Sequence, residues 1–115
     1  MEDWEIDFEW LRVRHFIQDQ MAQTVLPDMN AILILVGMQE IGRVIPQPTK
    51  EQKQDLMHVA TCALLSLNGH YELDAFDDEG WPHYRLLHRV EVQGEAAQEK
   101  MLKTLLVQYF REQGL

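Results

Sequence analysis

The stretch "AILILVGM", residues 31–38, decides the fold: it carries no polar side chain, and Gln39 and Glu40 follow it directly. A half-exposed helix keeps one polar side, whereas a helix that is apolar all round is surrounded by protein or lipid. A membrane span needs about 20 mainly apolar residues. Asn30 before the run and Gln39, Glu40 and Arg43 after it leave too short a segment, and no second hydrophobic stretch accompanies it. The run therefore reads as the middle of a helix over 29–44, central to the fold and enclosed by other elements. Pro27 and Asp28 mark its start, and Pro46 and Pro48 its end. Gly37 and Gly42 within it are expected to let a neighbouring helix approach closely.

Three further helices and a hairpin flank this element. Upstream, Phe8, Leu11, His15, Ile17 and Met21 fall on one stripe, which predicts a buried helix face over 7–23 with Asp7 as N-cap. The segment "WLRVRHFI" also alternates like a strand, but the polar tail "QDQMAQ" favours helix. Downstream, Thr49 and Gln52 have the spacing of a capping box. The third helix that they open buries Leu56, Ala60, Ala63, Leu64 and Leu67, and Asn68-Gly69 stops it.

Beyond Gly69 the period changes from helical to alternating. "HYELDAFDDEGWPHYRLLHRVEV" reads as a hairpin turning at Asp77–Gly80. That register sets Phe76 opposite Trp81, Asp74 opposite His83 and Glu72 opposite Arg85. Tyr71, Leu73, Ala75, Pro82, Tyr84, Leu86, His88 and Val90 then form the apolar face, with His88 a core histidine. A last helix over 95–113 presents Met101, Leu102, Leu105, Leu106, Tyr109 and Phe110. The fold class is α+β: three helices, a two-stranded antiparallel hairpin and a C-terminal helix, in a single domain over 1–115.

Composition limits the function. The 115 residues are 46% hydrophobic and 25% charged, as in ordinary globular proteins. A net charge of −9, with ten basic residues against nineteen acidic ones and no basic run, speaks against nucleic acid and against anionic membranes. The same charge suits a basic protein partner. One cysteine, Cys62, forms no internal disulfide, and the acidic start "MEDWEIDFEW" lacks a signal peptide's pattern, so the cytoplasm is expected.

Few residues offer chemistry. The histidines make no H-x-x-x-H or E-x-x-H pattern, and there is no C-x-x-C, phosphate loop or dinucleotide fingerprint, so no metal or cofactor is called for. Ser66 lacks nucleophile-elbow glycines, and Cys62 has no cationic neighbour in sequence. Two candidate sites remain. The hairpin's outer face would expose Phe76, Trp81 and His83 beside Asp74 and Arg85, aromatics with charge that suit a binding surface. Glu40, with His15 and Gln39, would supply general acid–base groups in a pocket beside the central helix.

The leading expectation is a small acidic accessory protein that is not an enzyme and binds a protein partner through the aromatic hairpin face. It is expected to be homodimeric, because a lone hairpin leaves its edges unpaired and a second copy would pair them or bury surplus apolar surface of the first two helices. The rival is a small enzyme or ligand-binding domain using Glu40 and His15.

Overall fold

The computed structural model describes residues 2–114. They form α1 (Asp3–Gln20), α2 (Met29–Ile41), α3 (Lys50–Ser66), β1 (Tyr71–Phe76), β2 (Pro82–Leu86) and α4 (Glu95–Glu112). Helix, helix, helix, hairpin, helix is the expected α+β order. No helix among the described residues is long and apolar enough to cross a membrane. The chain divides into two compact units, one formed by the stretch up to Asp28 together with that from Glu91 on, the other by Met29–Val90.

In the first unit α1 packs against α4. Lys100 pairs with Asp3, and Arg111 Nη2 lies 3.8 Å from Glu9, so the helices run in the same direction. Helix α1 starts at Asp3 rather than Asp7, because Glu2 and Glu5 form a reciprocal capping box ahead of it. Its buried residues are Ile6, Trp10, Val13 and Ile17. Of the expected stripe only Ile17 is buried; Phe8, Leu11, His15 and Met21 are exposed. The helix has apolar residues on two opposite faces, and the expectation took the wrong one as the inner face. In α4, Leu105, Leu106, Val107, Tyr109 and Phe110 are buried, and the last two rings meet edge to face with centroids 5.3 Å apart.

In the second unit α2 packs against α3. The contact turns on Gly37: a Cβ there would run into the backbone carbonyl of Leu56. Ile32, Leu33 and Val36 are buried with it. Ile34, Leu35, Met38 and Ile41 are only half-buried, so the helix is sealed along one side and not, as expected, all round. It also stops at Ile41, short of residue 44. Gly42 takes a φ of +74°, the left-handed conformation that ends helices, and has open space around it; it terminates α2 rather than admitting a neighbour.

The start of α3 is as the sequence reads, with the Thr49 side chain accepting from the Gln52 amide and the Gln52 side chain accepting from the Thr49 amide. Leu56, Val59, Ala60, Cys62, Ala63, Leu64 and Leu65 are buried. Gly69, at φ +86°, turns the chain into β1. The hairpin rests on α3, and its open end is closed by His70, whose carbonyl accepts from the Leu87 and His88 amides. His88 is exposed, not in the core.

The register departs from the expected one at its tip. Tyr71 faces Leu86 and Glu72 faces Arg85, but a bulge between Leu73 and Ala75 then sets Ala75 opposite His83 and Phe76 opposite Pro82. The extra residue is Asp74, which the straight register had placed against His83. Successive residues of a strand alternate in face, so Phe76 shares a face with Pro82, Tyr84 and Leu73, while His83 lies on the other.

Gly37→Ala is expected to destabilise the protein by about 1–3 kcal/mol, despite alanine's better helix propensity, because the α2–α3 backbone approach must open. Urea denaturation followed by circular dichroism measures it, and an unchanged midpoint would contradict this account of the helix contact.

Candidate functional site

The hairpin tip is built around one carboxylate. Asp77 Oδ1 accepts from the amides of Glu79 and Trp81, each at 2.9 Å, and Oδ2 lies 2.9 Å from His83 Nε2. The backbone adds an amide bond from Asp77 to the Trp81 carbonyl at 2.9 Å and one from Gly80 to the Asp77 carbonyl at 3.0 Å. Gly80 takes a φ of +85°, which the turn requires. These bonds, with that to His83 the strongest, hold the Asp77 carboxyl below its ordinary value of 3.8.

Arg43 reaches this tip from the end of α2. Its Nη1 donates to the Glu79 carbonyl at 3.1 Å, and its guanidinium lies 6.0 Å from the centre of the Trp81 ring, within cation–π range. Stopping α2 at Gly42 is what frees Arg43 to make both contacts.

Between the tip and α3 lies an open cleft of about 490 Å³, within the size range of small-ligand sites. Arg43, Ile45 and Trp81 form one end, Gln52, Asp55, His58 and Val59 of α3 one wall, and Pro82, His83 and Tyr84 of β2 the other. Both carboxylates and imidazoles thus face one space beside a half-buried indole and phenol. Burial first, then the charges of Glu40 and of Cys62 when ionised, push the Tyr84 phenol up to about 12. Behind His58, Cys62 Sγ lies 3.7 Å from Nε2. Burial pushes that thiol up as well, which favours its neutral form.

The structure gathers some of the expected site residues and separates others. Trp81 and His83 line the cleft, although Trp81 is half-buried rather than exposed. Arg85 pairs with Glu72, as the register predicts. Asp74 sits exposed at the bulge, and Phe76 is exposed on the opposite sheet face from His83. Glu40 is half-buried and Gln39 exposed at the end of α2; neither lines the cleft, though the charge of Glu40 reaches Tyr84. His15 is exposed on α1 in the other unit. Asp55, His58 and Tyr84 escaped the sequence reading. The one available signal for the first two was their spacing, which places them on the same side of a helix as Cys62.

Among the described residues no group of three or more histidine, cysteine, aspartate or glutamate side chains is arranged to hold a metal ion. No protein-family model matches the chain, nor does any curated protein or solved structure.

The raised Tyr84 value has a sign that can be checked. The neutral phenol is favoured by the folded state, so its contribution to stability is complete below the ordinary value of 10.0 and is lost as pH rises through about 12. Tyr84→Phe is expected to remove that part of the alkaline loss of stability, read from denaturation midpoints between the two values. Absorbance titration of the tyrosines should lose a step near 12 in the same variant.

Proposed function

We propose that this chain is a small acidic accessory protein that acts by binding a protein partner through its hairpin rather than by catalysis, and that it works as a homodimer in the cytoplasm. The observation that carries the reading is exposure. Phe76, Leu86 and Leu73 are 59%, 54% and 48% exposed, and the strand register puts all three on one face of the sheet. That face also carries buried Pro82 and half-buried Tyr84, and large apolar side chains left in water beside them mark an interaction surface. The tip beside them carries Asp77, Asp78 and Glu79, so the preferred partner segment is apolar with basic flanks. Its affinity would come from the aromatic and leucine side chains and its selectivity from the acidic tip.

The test is capture by immobilised protein from the source cell, compared with Phe76→Asp. The substitution lies on the surface, so folding should be unaffected, while retention of the partner should fall at least about tenfold. Equal retention by both proteins would contradict the reading.

The cleft favours a second reading, a ligand-binding or acid–base site in which the Asp77–His83 pair, Asp55 and His58 surround a small molecule against Trp81. Glu40 would act there only through Tyr84, and His15 has no place in the cleft wall. A ligand for this site should raise the melting temperature and change Trp81 fluorescence, and both responses should weaken in Asp55→Asn. If a metabolite screen moves neither signal, the second reading has no support left.

A further inference from the structure

We infer that the outer face of α1 is the seam of the homodimer, where α1 of a second copy lies antiparallel against it. This rests on the homodimer half of the reading above and supplies its interface. Trp4, Phe8 and Leu11 are 68%, 59% and 43% exposed and follow one another at helical spacing, with His15 continuing the line. The opposite face of the same helix is the buried one, carrying Ile6, Trp10, Val13 and Ile17. A helix with two opposed apolar faces satisfies one inside its own unit and leaves the other as unpartnered surface that contains two aromatic rings.

Charge selects both the occupant and its direction. Asp3, Glu5, Asp7 and Glu9 occupy the first half of α1, and Arg12, Arg14 and His15 the second, with Asp19 as the one acidic residue there, near its end. A second copy in parallel would set acidic half against acidic half. An antiparallel copy sets each acidic half against a basic one, and the helix dipoles then also oppose favourably. Around a two-fold axis between residues 9 and 10 the apolar and polar positions agree in register. Phe8 meets Leu11 of the partner subunit and Trp4 meets His15 of the partner subunit. On the flanks, Glu5 faces Arg12 of the partner subunit and Asp7 faces Arg14 of the partner subunit. Arg12 already pairs with Glu9 at 2.7 Å, and Arg14 Nε donates to the Pro27 carbonyl at 2.8 Å. A guanidinium has five N–H donors, so each keeps others for the seam.

Sedimentation equilibrium of the full chain tests this. The wild type should be dimeric at micromolar concentration, and Phe8→Glu should weaken association about a hundredfold, since two buried rings are lost at once. Glu5→Arg and Arg12→Glu should each weaken self-association about tenfold, whereas their equimolar mixture should form the heterodimer in preference to either homodimer. Loss of the Glu5 cap affects homodimer and heterodimer alike, so the mixing preference reports the seam alone. A wild-type dimer indifferent to Phe8→Glu, with no preference on mixing, would overturn the seam and leave the homodimer standing with another interface. A monomeric wild type would overturn both, and a monomer destabilised by Phe8→Glu would show the stripe to be packed within its own chain.

Discussion

The approach of α2 to the Leu56 carbonyl at Gly37 is the constraint on which the second unit depends. No side chain separates the two backbones there, so the apolar run Ile32–Val36 lies directly on the row of buried residues in α3. The left-handed turn at Gly42 ends α2, and Arg43 then lies over Trp81. At its other end α3 runs through Gly69 into a hairpin that lies back upon it. The cleft is the space left between these two departures. A helix–helix contact and two glycine turns, with no functional group among them, thus frame the space where the polar groups converge.

Electrostatics at the tip follows from local bonding rather than burial. Asp77 is an exposed residue, yet an imidazole and two amides favour its ionised form, and the loop is ordered by the same bonds. Tyr84 is the opposite case, in which removal from water and a nearby carboxylate keep a group neutral. The cleft therefore brings together an ionised carboxylate, the Arg43 guanidinium and a neutral hydrogen-bonding phenol.

What could be read from the sequence was set by how many physical signals agreed at each place. Thr49 and Gln52 combine capping chemistry with a following apolar stripe, and the structure starts α3 there. Gly69 and the Glu72–Arg85 pair were equally legible, because turn geometry and charge pointed the same way. Helix α1 was recognisable as a helix but its orientation was not, since both Ile6-Trp10-Val13-Ile17 and Trp4-Phe8-Leu11 satisfy the same period. Periodicity reports that a face is apolar, not what covers it. The cleft was largely illegible because Asp55 and His58 come from one helix, Tyr84 from a strand, and Arg43 from a loop whose path depends on a glycine conformation.

The bulge at Asp74 has a consequence for how this chain tolerates change. Side chains in a strand are assigned to faces by counting from the last fixed pair, and here one surplus residue resets the count just before the tip. Losing that residue would straighten the ladder with its pairs unchanged, Ala75 still against His83 and Phe76 still against Pro82, so the exposed ring keeps its side of the ribbon. A one-residue deletion at the bulge is therefore absorbed. The same deletion in β2, which carries no surplus residue, would exchange which surface of the ribbon is oily and which is polar.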